Sequence, residues 1–470
     1  MHIGDDASCA KLVYVPTRQQ RDTNVALHLL EALIHENQAM IDAYLLDLFI
    51  SRWINSKMEL PAHLRDLLQR ATLECDSITC LGFANFYNDA KIVRQLVAAG
   101  ADVTGQDSHG RTPLHFACMS DKEADKKAEF LLACCQTLVN VADTHKNAPL
   151  HLAILQRNTR VINVLIEHDT SVNQVGKFGQ TPLHVACSEG DVDVTHLLMG
   201  HGASVEAVDC SNGATALHLA AYFNHPEVVR VLIDDYNASV NERDIFGKTS
   251  LQKCVDQGHT GALLIDTLKP CDVKRRNHPT STPPPETKEI CRRLDCIRKL
   301  VDSGASVNDR DSDGVAPLHS AVRTGSVEVV KILASSQQCD IDIRERCSPY
   351  ERTPLHEASE YGHVTCIHEL IKHGANVEAV DGYSKSTPLI LAAAFNHIEC
   401  VKALVEDYGA SINVTNSDGS SPLGRAAFVG NVDMIRTLTS YAQCDVNMIQ
   451  AGKQRFIWLI KKVTCNAFMN

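Results

Sequence analysis

The sequence predicts an all-α fold made of a short helical motif that is repeated along most of the chain. The motif is clearest at residues 181–190, which read TPLHVACSEG. Thr181 can cap a helix, Pro182 suits the first helical position because it lacks an N–H, and Gly190 suits a left-handed helix end. The same motif recurs in register from residue 75 to residue 445. Its periodicity therefore sets the architecture.

The leucine of the motif measures the length of the repeat. It occurs at Leu81, Leu114, Leu150, Leu183, Leu217, Leu251, Leu318, Leu355, Leu389 and Leu423. Eight of the nine steps between these leucines span 33 to 37 residues, and the step from Leu251 to Leu318 spans 67. The long step leaves room for one further unit at residues 282–284, which gives eleven units of about 34 residues. A second apolar stretch, a Gly-Ala turn and a short extended piece follow each motif, so each unit should contain two helices and a β-turn.

These units resemble the ankyrin repeat family. Close copies of its TPLHxA signature are TPLHFA at Thr112, TPLHVA at Thr181, TALHLA at Thr215 and TPLHEA at Thr353, with APLHLA at Ala148 and APLHSA at Ala316. The resemblance implies an ankyrin solenoid, in which stacking buries the apolar face that a single unit cannot bury alone. Sliding residues 181–251 by 172 positions onto residues 353–423 leaves 35 of 71 residues identical. We therefore expect two stacked blocks that arose by duplication of several repeats.

The chain divides into six predicted segments. They are a disordered N terminus (1–22), a helical N-terminal cap that could be a degenerate repeat (23–74), a first ankyrin stack (75–269), a Pro-rich joint (270–287), a second ankyrin stack (288–445) and a C-terminal capping segment that could also dock a partner (446–470). Residues 64–68 match an LxxLL docking motif, which amphipathic core helices also produce. In the joint, three prolines exclude an ordinary first helix, and we interpret it as a strained unit. Residues 274–276 (KRR) are a candidate nuclear-import signal, and Thr282 is a candidate phosphorylation site. The alternative is that the joint is a plain solvated spacer.

Composition excludes several classes of function. The net charge of −12 argues against nonspecific binding to nucleic acid or to anionic membranes. No secretory segment opens the chain and no apolar run approaches ~18 residues, so we expect a cytoplasmic protein, with the nucleus as a further location if the KRR patch acts. The 18 cysteines include no CxxC pair. Cys118, Cys187 and Cys254 occupy slots that hold alanine in other units, which favours reduced, buried thiols over a redox or metal role.

Ten of the 22 histidines repeat at structural slots, which favours a structural role for them over chemistry. Six of them occupy the signature slot: His115, His151, His184, His218, His319 and His356. Four more follow the Gly or Asn that ends the first helix: His225, His259, His363 and His397. No HExxH, GxSxG, Walker-type or dinucleotide motif occurs. We predict no enzyme, no cofactor and no metal; an enzyme would need an unrecognised catalytic constellation in residues 1–75 or 445–470.

The resemblance to ankyrin repeats implies that partners bind a concave face. In the family, this face consists of the β-turn tips and the two residues that precede the closing Gly-His of the first helix. Some of these slots hold polar residues, such as Arg323 and Glu360. The residues predicted to bind partners are Phe86, Tyr87, Phe178, Tyr222, Phe223, Phe246, Tyr361, Tyr383, Phe395 and Phe428. Aromatic residues are common hot spots, although aromatics at the helix-end slots can also pack against the next repeat.

The sequence therefore predicts a non-catalytic, monomeric scaffold or adaptor for other proteins. Duplicate grooves would allow bivalent capture of a partner. The alternative is a substrate-recognition subunit of a larger enzyme such as a ubiquitin ligase, in which the N-terminal helices would bind the machinery. No SOCS box or F-box is recognisable, which counts against that alternative.

Overall fold

The computed structural model describes residues 32–33, 58–59, 77–257, 285–346 and 349–446. The predicted disordered N terminus, nearly all of the N-terminal cap and the chain from residue 447 onward lie outside the described residues. The LxxLL match, the KRR patch, Thr282 and His259 lie outside them as well.

Twenty helices with complete boundaries lie in the described ranges, and they form ten pairs. The first helices of the pairs are α1 (Cys80–Tyr87), α3 (Pro113–Cys118), α5 (Pro149–Leu155), α7 (Pro182–Glu189), α9 (Ala216–Tyr222), α11 (Ser250–Asp256), α13 (Pro317–Arg323), α15 (Pro354–Tyr361), α17 (Pro388–Ala394) and α19 (Pro422–Val429). The second helices are α2 (Ala90–Ala98), α4 (Ala124–Cys134), α6 (Thr159–Glu167), α8 (Val192–Gly200), α10 (Pro226–Asp234), α12 (Pro285–Asp302), α14 (Val327–Ala334), α16 (Val364–Lys372), α18 (Ile398–Lys402) and α20 (Val432–Ser440). A π-helical turn, Ala403–Asp407, continues α18. The strands in the described residues are β1 (Met58–Glu59) and β2 (Ser77–Ile78), an antiparallel pair.

The chain forms two compact units, residues 1–186 with 200–203, and residues 187–199 with 204–470. In the first unit, α1 and α3 approach closely at Gly82, where a methyl group would lie 3.0 Å from the ring of Phe116. In the second unit, each first helix from α9 to α19 packs on the first helix of the next repeat. None of the ten signature leucines exposes more than 1% of its surface. The all-α ankyrin fold predicted from the sequence is therefore confirmed.

Signature histidines bond to the segment that follows their own repeat. Nδ1 of His115 accepts the Thr112 backbone N–H at 3.0 Å, and its Nε2 lies 3.2 Å from the carbonyl oxygen of Asn147. His218 and His356 repeat the bond to the following segment, at 3.1 and 3.0 Å. A carbonyl oxygen can only accept, so Nε2 carries the proton. Nδ1 accepts a backbone N–H and therefore carries no proton, so the ring is neutral. Burial lowers the pKa of His115 and His356 to about 4, which agrees with neutral rings.

The β-turn segment between two repeats, which we call a finger, bonds to the neighbouring finger. The N–H of Thr144 donates to the carbonyl oxygen of His109 at 2.8 Å, and the N–H of Ile245 donates to that of Asn212 at 2.8 Å. Such pairs lie 33 to 35 residues apart, which is one repeat. Adjacent fingers are thus fixed to one another through the backbone.

The predicted unit at residues 282–284 is wrong as a separate repeat. The N–H of Ser312 donates directly to the carbonyl oxygen of Phe246 at 2.9 Å, although these residues lie 66 positions apart. Gln252, which replaces the signature histidine, donates to the carbonyl oxygens of Asp309 (3.2 Å) and Val315 (3.0 Å). α12 also packs against α11 as its partner helix. The 67-residue step is therefore one repeat whose two helices are separated by residues 258–284, and the last three residues of the predicted joint already belong to α12.

Candidate functional site

Phe223 and Phe395 lie at the ends of α9 and α17, and the same backbone arrangement holds both. Each is followed by an asparagine in the left-handed region, at φ 59° and 66°. The next residue is a histidine: Nε2 of His225 lies 2.9 Å from the carbonyl oxygen of Ser188, and Nε2 of His397 lies 2.7 Å from that of Glu360. Each histidine thus ties the helix end to the preceding repeat. Both phenylalanine rings remain half exposed.

Tyr361 is held in the same way at the end of α15. Gly362 supplies the left-handed residue at φ 80°, and Nε2 of His363 lies 3.3 Å from the carbonyl oxygen of Arg323. The rings of Tyr361 and His363 are stacked with their centroids 6.3 Å apart. The tyrosine is half exposed, so its ring presents one face to solvent from a fixed position.

Two fingers of the second unit carry aromatic rings that contact each other. Tyr383 is 69% exposed, and its ring lies edge-on to Tyr350 with centroids 5.6 Å apart. The guanidinium of Arg352 lies 4.8 Å from the centre of the Tyr350 ring, and Arg352 also pairs with Glu360. The two tyrosines form a small aromatic surface that is anchored at one end by a cation.

Three further aromatics of the second unit are exposed. Tyr222 packs edge-on against its neighbour Phe223, with centroids 5.0 Å apart. Phe246 is half exposed in its finger, and its N–H donates to Oδ1 of Asp244 at 2.9 Å. Phe428 is half exposed at the end of α19, with the guanidinium of Arg425 at 5.9 Å.

The first unit presents Phe178 in a strained turn. Its φ of 59° places a bulky side chain in the left-handed region, which is costly for a residue with a Cβ. The ring is 62% exposed, and Nζ of Lys177 lies 4.9 Å from its centre. Such strain at an exposed aromatic supports a functional role for this turn.

Phe86 and Tyr87 differ from the other predicted residues, because both are half buried against the core of the first unit. The ring of Tyr87 stacks on Phe83 at 4.7 Å and meets Phe86 at 4.9 Å. The hydroxyl of Ser120 donates to the carbonyl oxygen of Phe86 at 2.8 Å. For these two residues the structure favours packing over partner binding.

The family model for ankyrin repeats matches residues 81–176, 169–244, 205–277, 289–381 and 379–450. These segments cover well over half of the chain. The protein belongs to the ankyrin repeat family.

Several ankyrin-repeat relatives share this part of the chain at modest identity. Human Inversin is 25% identical over 255 residues, which are 53% of this chain and 20% of Inversin. The Drosophila melanogaster transient receptor potential cation channel subfamily A member 1 is 23% identical over 183 residues, which are 37% of this chain and 15% of the channel. An ankyrin repeat protein of fowlpox virus is 34% identical over 124 residues, which are 26% of this chain and 84% of the viral protein. The chain thus spans only about a fifth of Inversin.

The described residues of this ankyrin protein bear on metal binding, membrane insertion and thiol chemistry. No group of three or more His, Cys, Asp or Glu side chains within those ranges is placed to hold a metal ion. Among the described helices, none is both long and apolar enough to cross a membrane. The thiols of Cys118, Cys187 and Cys254 are fully buried, and burial raises the pKa of Cys187 to about 12, so this thiol stays protonated at neutral pH.

Eight of the ten predicted binding residues are exposed, and two are half buried. Phe178 is exposed in the first unit, and we call the seven exposed residues of the second unit the aromatic surface: Tyr222, Phe223, Phe246, Tyr361, Tyr383, Phe395 and Phe428. Sequence reasoning missed Tyr350 and Ile245, which are also exposed. Tyr350 lies 172 positions after Phe178 and so occupies the duplicated slot. That correspondence could have revealed it, but the 37-residue step before Leu355 obscured the register.

Proposed function

We propose that this chain is a non-catalytic scaffold or adaptor that binds other proteins through the aromatic surface. The observation that carries the proposal is the repeated arrangement at Phe223 and Phe395. In both copies, a left-handed asparagine and a bonded histidine fix the helix end while the ring stays half exposed. Rigid aromatic rings lose little conformational entropy on binding and are frequent hot spots.

The duplication supports bivalent binding. The two phenylalanines lie 172 residues apart in corresponding positions of the two blocks. Two linked sites raise apparent affinity when one partner can reach both, because the second contact becomes intramolecular. We therefore place one anchor in each predicted stack and treat the chain as a monomer with two sites.

Charge and cysteine chemistry support a protein partner inside the cell. The net charge of −12 disfavours nucleic acid and anionic lipid as partners. Buried thiols such as Cys118 fit a reducing compartment, which supports a cytoplasmic location.

Selection of a phage-displayed peptide library on the full chain tests the proposal. The selected peptides are measured against Phe223→Ala, Phe395→Ala and the double variant. We expect a loss of about tenfold or more for an anchor that acts as a hot spot, and a larger loss for the double variant than for either single one. Far-UV circular dichroism should be unchanged, because both rings are half exposed.

Arg230→Ala and Lys402→Ala are matched controls on second helices, since neither belongs to the aromatic surface. They should leave peptide binding unchanged. If the double phenylalanine variant binds every selected peptide as the parent chain does, the aromatic surface is not the site.

A further inference from the structure

Three charged side chains, two of them buried, meet between α13, α15 and the finger that joins their repeats. Arg323 ends α13, Glu357 lies in α15, and Glu345 lies in the finger. Nε and Nη2 of Arg323 donate to Oε1 of Glu357 at 2.9 and 2.6 Å, and Nη2 also pairs with Oε1 of Glu345. The side chains of Glu345 and Glu357 expose only 6% and 3% of their surface.

The cluster contains one positive charge and two carboxyl groups, so it lacks one positive charge when both are ionised. Oε2 of Glu357 is buried and has no hydrogen-bond partner. An ionised oxygen in that position would be a buried, unsatisfied charge, which is strongly unfavourable. Two carboxyl groups in a shared buried site do not both ionise readily. A proton on Glu357 removes both problems.

Arg323 is the cation that contacts the cluster in the described residues, and the nearby Arg352 of the finger pairs with Glu360 instead. α17, which packs on α15, carries no ionisable side chain. On α16, His368 bonds to the hydroxyl of Tyr408, and Glu369 bonds to Lys372 and His373. The groups that act on Glu357 are therefore Arg323, which favours ionisation, and Glu345, which opposes it. Burial is the largest influence and raises the pKa of Glu357 to about 8.

We propose that Glu357 carries a proton at neutral pH and that loss of this proton in mildly alkaline solution weakens the packing of α13, α15 and their finger. The cluster then acts as a pH-sensitive latch between two repeats. Arg323 ends α13, and its carbonyl oxygen bonds to His363, which follows Tyr361 at the end of α15. The latch therefore lies next to the aromatic surface. The inference does not depend on any partner.

The sign of the effect follows from proton binding. The pKa of a glutamate in the unfolded chain is near its ordinary 4.5, below that of folded Glu357. Between these values the folded chain holds a proton that the unfolded chain lacks. The contribution of Glu357 to the free energy of unfolding is therefore fully present below the unfolded pKa and is lost as the pH rises toward 8. Histidines and cysteines of the unfolded chain also titrate between pH 7 and 8, and burial lowers the pKa of Lys127 in the folded chain to about 8. The effect of Glu357 is therefore measured as the difference between the parent and a variant that lacks this carboxyl group.

Urea unfolding of the full chain at pH 7 and pH 8 tests the proposal, with Glu357→Gln as the main variant. Glutamine imitates the protonated carboxyl group. One proton with a pKa of about 8 should raise the unfolding constant of the parent about fivefold more than that of Glu357→Gln between these pH values, because the variant lacks this increment. Glu360→Gln is the matched control on the same helix, because Glu360 pairs with Arg352 instead, and it should keep the increment. Equal pH dependence in the parent and in Glu357→Gln would overturn the proposal.

Infrared spectroscopy of the parent chain provides a readout that does not depend on how the variant folds. A protonated carboxyl group should give its own C=O stretching band at pH 7, and this band should disappear by pH 9. The band should be missing from Glu357→Gln and present in Glu360→Gln. Its absence from the parent at pH 7 would show that Glu357 is ionised and would reject the latch.

Discussion

Gly362 provides the most direct test of how the aromatic surface is held, and the substitution is Gly362→Ala. Its φ of 80° is strained for any residue with a Cβ, at about 1 kcal/mol. The added methyl group would also lie 2.4 Å from Nδ1 of His397. The imidazole must then move and lose its 2.7 Å bond to the carbonyl oxygen of Glu360, for a further ~1 kcal/mol. With residual steric strain added, we expect the free energy of unfolding to fall by about 2–3 kcal/mol.

Gly374→Ala separates the two contributions. Gly374 has φ 95°, but a methyl group there meets nothing within 4 Å. It should therefore lose only the backbone contribution of about 1 kcal/mol. The measurement is the urea midpoint by far-UV circular dichroism, compared at matched slope because a repeat array need not unfold in one step. If both variants lose the same stability, His397 does not pack on Gly362 as described.

Two smaller substitutions test the caps and the strained turn. Ala316→Thr should stabilise the chain by about 1 kcal/mol in urea unfolding, because its hydroxyl can donate to Nδ1 of His319, which is buried without a partner. Ala148→Thr should gain less, since its signature histidine already accepts a backbone N–H at 3.2 Å; equal gains would exclude the histidine as the cause. Phe178→Asn should raise the thermal midpoint by relieving about 1 kcal/mol of left-handed strain. Phe246 lies in a finger but has no positive φ, so Phe246→Asn should not raise the thermal midpoint. An equal rise in both variants would show that the removal of an exposed apolar side chain, and not the relief of strain, is responsible.

The repeat itself could be predicted because the same local constraints appear many times. A cap, a proline at the first helical position and a leucine at a fixed spacing predict one buried turn, and the leucine is buried in all ten copies. The insertion at residues 258–284 could not be recognised, because the resulting step of 67 residues is close to two repeats and so preserves the register. The bond between Ser312 and Phe246 and the bonds of Gln252 show that the two fingers are neighbours.

The site was harder to predict, because exposure depends on how the preceding repeat is bound. Phe86 and Tyr87 occupy the slot of Tyr222 and Phe223 but lack a closing histidine. In its place, the buried ammonium of Lys127 donates to the carbonyl oxygens of Asn85 (2.7 Å) and Asn88 (3.1 Å) and to the hydroxyl of Ser120 (2.7 Å). Lys127 lies in the charged segment 121–129 (DKEADKKAE) and thus bonds the end of α1 as His397 bonds the end of α15. Sequence alone does not show which lysine of DKEADKKAE turns inward.

The two copies of the anchor differ in their surroundings, and this difference bears on what they bind. Phe223 has Tyr222 beside it, where Phe395 has an alanine, and the finger aromatic Phe246 corresponds to Asp418. The bonded histidine is the same in both copies, so the device that fixes the ring is retained while its neighbours change. Specificity depends on the neighbours of a hot spot as well as on the hot spot. We therefore propose that the two phenylalanines, which are held alike but have different residues in the corresponding slots, bind two different segments, on one partner or on two.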